Sequence, residues 1–308
     1  MFDLKRLLVL REVAARGSFS AAADHLYVSQ SAVSQQIAAL EAETGEQLLL
    51  RIRTGPVLTD AGRLLVSHGD AAIARLEQAE RELGELSGLD SGELRLISFP
   101  SASATLVTAA ASVFRERHPE IRVTLVEADP EESIPQLKRG DHDLAVVYDF
   151  ELHPFAPDRD LELRPLLIEE MRLALPRGHE LAGCGALQLD RLADQSWLCG
   201  NPGGSCRELA VRSCQLAGFD PDVSFESNDY TVIQSLVAAG LGVALLPDLA
   251  LTAPHPGVEI AEVLPEPPLR RVWAASLQVG SRSSATEAML DVLAEVSEEF
   301  ARRTAVAV

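Results

Sequence analysis

The sequence predicts a multidomain α+β protein: an N-terminal winged helix-turn-helix, a long linker helix, then an α/β domain. Three observations carry this. The first sixty residues hold three short helical patterns followed by a hairpin signal. Residues 61–87 hold one apolar seam at heptad spacing. From Glu93 onward, strand and helix patterns alternate, which implies a mostly parallel sheet. At 308 residues the chain has room for two or three domains, and the expected bounds are 1–60, 61–88 and 89–308.

Leu4 to Ala15 reads as an amphipathic helix that Gly17 stops. Ser18 suits the N-cap of a short second helix, Phe19 to Leu26, whose Ala21, Ala22 and Ala23 allow close packing. Ser29 caps a third, running to about Ala42, with Val33, Ile37 and Leu40 as its buried stripe. Its other face, Ser29, Gln30, Ser31, Ser34 and Gln35, is short, uncharged and hydrogen-bonding. Two β-prone runs then flank Thr54-Gly55-Pro56, with Arg51 and Arg53 alternating on one face of the hairpin. Thr59 suits the cap of the long helix from about Ala61 to Ser87. Leu65, Gly69, Ala72, Leu76, Ala79, Leu83 and Leu86 form its seam. A lone helix cannot bury such a seam, so it needs a partner, most simply a second copy of itself; the alternative is that it lies on its own domain. Ser87 to Gly92 reads as a hinge.

In the α/β region, strands are expected at 94–99, 121–126, 143–148, 166–176, 197–199, 223–225, 243–246 and 271–277. Helices are expected at 104–117, 132–138, 206–217, 230–239 and 284–304, and a proline-rich segment, Leu264 to Pro268, joins two elements.

Composition narrows the function classes. The net charge is −19, with 47% hydrophobic and 24% charged residues, as in ordinary globular protein. Residues 1–65 are neutral, with seven basic and seven acidic side chains, and the acidic excess lies in the rest. Any nucleic-acid contact must therefore be local. No apolar stretch spans a bilayer, and the N-terminus lacks a secretory pattern, so a cytoplasmic protein without a membrane partner is expected. Four cysteines in this length suit reduced thiols better than a disulfide framework.

The second helix of a helix-turn-helix presents its N-terminal residues to base edges in the major groove. Gln30, Ser31, Ser34 and Gln35 have the hydrogen-bonding chemistry for this. Phosphate neutralisation would fall to Arg51, Arg53 and Arg63. The same polar face would also serve a small protein-interaction domain.

Two strand-to-helix turns, Pro100-Ser-Ala-Ser-Ala-Thr105 and Gly200-Asn-Pro-Gly-Gly-Ser205, stand where open α/β sheets hold ligands. Helix N-termini there suit an anion, or are simply caps. Ser101, Ser103 and Thr105 are the candidates on one side and Asn201, Gly204 and Ser205 on the other, with Tyr148 and Asn228 as further candidates. The second turn lacks the Gly-Lys-Ser/Thr ending of a phosphate loop. Cys206 and Cys214 lie eight apart on one helix, too far for a disulfide, whereas Cys199 and Cys206 flank a turn and could approach. His142 between Asp141 and Asp143 carries no metal-ligand spacing, and no nucleophile–histidine pattern points to an enzyme; neither a metal nor a cofactor is expected.

Phe19-Ser-Ala-Ala-Ala-Asp-His-Leu-Tyr-Val-Ser-Gln-Ser-Ala-Val-Ser-Gln-Gln-Ile-Ala-Ala-Leu-Glu41 resembles the N-terminal signature of LysR-type transcriptional regulators, as do Thr44 to Arg51 and Leu58-Thr-Asp-Ala-Gly62. Two positions depart from it: Ser31 stands where the family commonly has Pro, and Leu49-Leu50 where it commonly has Leu-Phe. The resemblance implies a bacterial regulator that binds double-stranded promoter DNA as a dimer or tetramer joined through linker helices. An activator would also meet RNA polymerase. It further implies an effector domain of periplasmic-binding-protein type. Subdomain I would be about 93–165 plus 270–308, subdomain II about 166–267, with a small-molecule effector between them. Some members sense peroxide through a cysteine pair, so a redox sensor using Cys199 and Cys206 stays open. So does a small-molecule-binding protein or enzyme without DNA binding.

Overall fold

A computed structural model describes residues 2–53, 55–87, 92–156, 158–278 and 282–306. Thr54 of the expected hairpin turn and residues 88–91 of the expected hinge lie outside the described residues. So do the side chains of Arg51, Leu83 and Leu86.

The chain forms two compact units. In the N-terminal unit, α1 (Leu4–Arg16), α2 (Phe19–His25) and α3 (Gln30–Thr44) precede a hairpin of β1 (Leu49–Ile52) and β2 (Gly55–Leu58). Helix α4 (Asp60–Ser87) follows. Side chains set the helix starts: Asp3 accepts from the Lys5 N–H, Ser18 from Ala21 and Ser29 from Ala32. Gly17 and Gly45 end α1 and α3 in the left-handed conformation. Thr59 accepts from the Gly62 N–H at 3.0 Å and starts α4. Leu7, Leu10, Val13, Ala22, Ala23, Val33, Ile37, Leu40, Leu48 and Leu49 make the core. Glu41 fixes the hairpin against α3 by accepting from the Leu48 N–H at 2.9 Å and the Leu49 N–H at 3.3 Å.

The second unit is α/β. Its elements in order are β3 (Glu93–Ser98), α5 (Pro100–Ala102), a π turn (Ser103–Val107), α6 (Thr108–Arg117), β4 (Arg122–Glu127) and α7 (Pro130–Lys138). Then come β5 (Leu144–Phe150), β6 (Leu161–Pro176), β7 (Ala186–Gln188), β8 (Ser196–Cys199), α8 (Ser205–Leu216), β9 (Asp222–Glu226) and α9 (Tyr230–Ala238). The unit ends with β10 (Ala244–Pro247), β11 (Val258–Leu264), β12 (Leu269–Leu277) and α10 (Ser284–Val306). The main sheet runs β4-β3-β5-β12-β6-β11-β7, with β10 also on β6.

This sheet is mixed, which corrects the mostly parallel expectation. Strand β3 is parallel to β4 and β5, and β11 to β7, but β12 runs antiparallel to β5 and β6, and β10 and β11 antiparallel to β6. Alternating strand and helix patterns do not register strand direction once a chain crosses between lobes and returns. Strand β6 is the crossing. Its first part pairs with β12, and its end, Met171 to Pro176, pairs with β10 and β11. It starts at Leu161, so it runs through the expected subdomain boundary at 165/166 as one strand. Strands β7 and β11 were absent from the sequence expectation; β7 has only three residues.

Candidate functional site

The first candidate site is the exposed face of α3. Gln30, Ser31 and Gln35 are exposed and Ser34 is half-buried, while Val33, Ile37 and Leu40 of the same helix lie in the core. Burial of one stripe thus fixes which polar groups face out. Ser29 is committed locally: its hydroxyl caps Ala32 N–H at 3.2 Å and lies 2.9 Å from Ser31 Oγ. Arg53 is exposed just past β1. Arg63 is engaged, donating to the Leu58 carbonyl at 2.8 Å and pairing with Asp60, so a phosphate must compete with Asp60 for it. Tyr27, in the short connection expected between the second and third helices, has φ of 55° and is 96% exposed. A non-glycine residue in a left-handed turn leaves no periodic signal.

On α4, Leu65 and Val66 pack against the unit's own core and Gly69 faces Leu7. Leu65 is therefore corrected from a self-association position to a core position. Ala72, Leu76 and Ala79 are exposed, Leu76 at 51%.

The second candidate site is a cavity in the α/β unit. It is walled by the turn after β3, the start of α7, the ends of β5 and β8, the helices α8 and α9, and Arg270 of β12. The walls leave a cavity of about 30 Å³. Polar contacts join its walls and the segments beside them. Asn228 Nδ2 donates to Asp129 Oδ2 at 2.9 Å, Tyr148 OH lies 3.2 Å from Asp129 Oδ1 and 3.1 Å from Cys206 Sγ, and Glu131 accepts from the Ser205 N–H at 2.9 Å.

Of the expected residues, Ser101, Tyr148 and Asn228 line this cavity. Ser103 and Thr105 do not. Their hydroxyls return to carbonyls of their own segment, Ser103 to Ser98 at 3.4 Å and Thr105 to Ser101 at 2.6 Å, where the π turn widens the backbone. Asn201, Gly204 and Ser205 also stand outside the lining. The Asn201 N–H donates to Asn228 Oδ1 at 2.8 Å, and Gly204 serves as the N-cap of α8. The glycine-rich turn thus positions Asn228 and α8.

Asp129, Tyr230 and Arg270 line it without having been expected from the sequence, and Cys206, expected only as a redox candidate, lines it too. Arg270 is wholly buried. Its Nε donates to Glu169 at 2.7 Å and its Nη2 to Ser101 Oγ at 3.0 Å, while the Phe99 and Tyr148 rings flank the guanidinium. Burial works against its charge, but Glu169 beside it holds its pKa above the ordinary arginine value. Burial likewise raises Asp129. The signal available in the sequence was an arginine at an inward position of a core strand, which stands out only once strand register is known.

The cysteines are free. Burial pushes Cys199 up to about 11 and Cys214 up to about 12. Cys206 is also raised by burial, against the opposing pull of Arg270 and the Tyr148 and Tyr230 hydroxyls. These thiols are protonated at neutral pH, and the thiolate is the reactive form. Among the described residues no His/Cys/Asp/Glu group could hold a metal ion, and no helix is long and apolar enough to cross a membrane.

Residues 4–63 match the family of bacterial regulatory helix-turn-helix proteins of lysR type, and residues 87–298 match the LysR substrate binding domain. The chain is 31% identical over 298 residues to the probable HTH-type transcriptional regulator LrrA of Synechococcus elongatus, covering 96% of this chain and 98% of LrrA. It is 33% identical to the transcriptional dual regulator GltC of Bacillus subtilis, covering 86% of this chain and 87% of GltC. A solved cysteine mutant of OxyR from Corynebacterium glutamicum superposes with a TM-score of 0.62 at 26% identity, covering 99% of this chain and 94% of OxyR. With an N-terminal helix-turn-helix, a two-lobed α/β unit and both family models in their order, the chain belongs to the LysR family of DNA-binding transcriptional regulators.

Proposed function

We propose that this LysR-type regulator senses a small anionic metabolite in the cavity of its α/β unit and passes that signal to operator binding by α3. The observation that carries the effector reading is Arg270. Arg270 lines the cavity, and its Nη1 is buried with no hydrogen-bond partner among the described residues. An unmet buried donor of this kind is costly, and an acceptor brought by a ligand relieves it. Thermal stabilisation of the full chain against a carboxylate library tests this. A ligand at 100 times its Kd adds about 2.7 kcal/mol. A library in which no acid raises Tm or changes DNA affinity overturns the reading.

On the DNA side, Gln30, Ser31, Ser34 and Gln35 read bases, and Arg51 and Arg53 anchor phosphates. A neutral domain with so few cations needs a second copy on the same site, so dimerisation, or a tetramer, is part of the mechanism. Gln30→Ala or Ser34→Ala removes sequence preference while fold and self-association persist; full specificity in both sinks the assignment. Arg51→Ala weakens all sequences alike and lowers the salt slope by about one.

A second reading, redox sensing through Cys199 and Cys206, draws on the hydrogen-bonding distance of Cys206 Sγ to two tyrosine hydroxyls, 3.1 Å to Tyr148 and 3.3 Å to Tyr230. Burial of both thiols counts against it. Oxidant should change DNA binding, and Cys206→Ser should abolish that change, only if this reading holds.

A further inference from the structure

We infer that the effector is a zwitterion, an α-amino acid with a small aliphatic side chain, held by its carboxylate on Arg270 and by its ammonium on Asp129. The inference rests on the cavity-sensing reading above, keeps its carboxylate on Arg270, and replaces a net anion with a neutral zwitterion.

The charges inside the cavity carry it. Glu169 already balances Arg270, at 2.7 Å and equally buried, so Arg270 asks for an acceptor on Nη1 and not for net negative charge. Asp129 stands differently. Its oxygens meet only neutral groups, the Tyr148 hydroxyl and the Asn228 amide, and among the described residues no Lys, Arg or His forms an ion pair with it. Around the cavity there is therefore one carboxylate with only neutral hydrogen-bond partners and one guanidinium N–H without an acceptor. Burial, with Glu131 nearby, raises the pKa of Asp129, and Arg270 and the Tyr148 and Asn228 hydrogen bonds only partly oppose it.

Simple ligand classes fail one half of this pattern each. An anion meets Arg270 but adds a second negative charge to a desolvated site beside Asp129. An amine meets Asp129 but leaves the Arg270 N–H unmet. A zwitterion satisfies both and adds no net charge. The lining also includes Met171, Leu198, Ile233 and Leu245, which suit an aliphatic side chain. The cavity of about 30 Å³ is smaller than such a ligand, so its walls must move apart to admit it.

The test uses the full chain and matched ligands: L-alanine, L-valine and L-leucine, each against its 2-oxo acid and its decarboxylated amine, read by calorimetry and thermal shift. One amino acid should bind at least about tenfold more tightly than both of its partners, the worth of one charge-assisted hydrogen bond. Asp129→Asn should keep the fold and reduce the preference over the 2-oxo acid to within about threefold. A 2-oxo acid that binds as tightly as its amino acid overturns the zwitterion and leaves the anion reading standing. An undiminished preference in Asp129→Asn overturns the role given to Asp129. Binding by none of the nine overturns the inference, and the carboxylate library then decides the broader reading separately.

Discussion

Arg270 on β12 and Glu169 on β6 are direct partners across an antiparallel ladder, and their ion pair is buried at 0% and 2% side-chain exposure. Glu169 also accepts from the Leu249 N–H at 2.7 Å, so one carboxylate ties two crossing strands to the turn after β10. Removing one partner strands the other charge in the core. Glu169→Ala should cost about 3–5 kcal/mol in urea unfolding of the full chain. Glu169→Leu combined with Arg270→Met, which removes both charges at similar volume, should cost far less. Equal losses in the two variants would show that volume, not the stranded charge, sets the penalty.

Gly62 shows how the helix-turn-helix is seated. A β-carbon there would lie 2.1 Å from the Leu48 carbonyl oxygen and 3.0 Å from Leu58 Cδ2. Backbone on one side leaves no flexible group to yield. Gly62→Ala should lower the N-terminal thermal transition by an amount equivalent to about 1–3 kcal/mol, the usual range for overpacking. The α/β unit's transition should stay in place. A calorimetric scan in which both transitions fall together, or neither moves, contradicts this assignment of Gly62.

The recognition helix was legible because three signals agree: Ser29 caps it, Val33-Ile37-Leu40 sets its buried face, and that face leaves Gln30 and Gln35 outward. The cavity was less legible for a physical reason. Ser103 and Thr105 look like ligand-facing hydroxyls in sequence, but a π turn aims them at their own carbonyls. Arg270 and Asp129 sit some 140 positions apart and line one cavity only because β12 returns to the sheet beside β5, which carries Tyr148. No local periodicity encodes that return. The mixed sheet escaped for the same reason, since strand direction is a property of the crossover and not of the strand.

Leu76 carries the self-association prediction. With Leu65 and Gly69 used by the core, Ala72, Leu76 and Ala79 are the described seam positions left exposed on α4. Leu76→Glu should weaken self-association at least tenfold in sedimentation velocity, with helix content unchanged, and DNA affinity should fall with it. Leu65→Ala should instead destabilise the N-terminal unit and leave the association constant of the folded chain alone. If Leu76→Glu associates like the parent, α4 is not the dimerisation seam.

Asp70 makes the stability of α4 depend on pH. It lies half-buried on α4, its Oδ1 has no hydrogen-bond partner among the described residues, and burial pushes its pKa up to about 6, with Arg11 opposing. The unfolded chain releases this proton near the ordinary value of 3.8. Between those two values the folded state binds more protons than the unfolded state, so stability falls as pH rises from about 4 to about 6. Above that window the carboxylate is charged in both states and the full cost persists. Asp70→Asn removes the titration. It should raise Tm relative to the parent at pH 7, by less at pH 5, and by nothing attributable to charge below about pH 4. Thermal scans of both chains across that range decide the matter, and a Tm difference that does not change with pH would show that Asp70 is as well solvated as a free carboxylate.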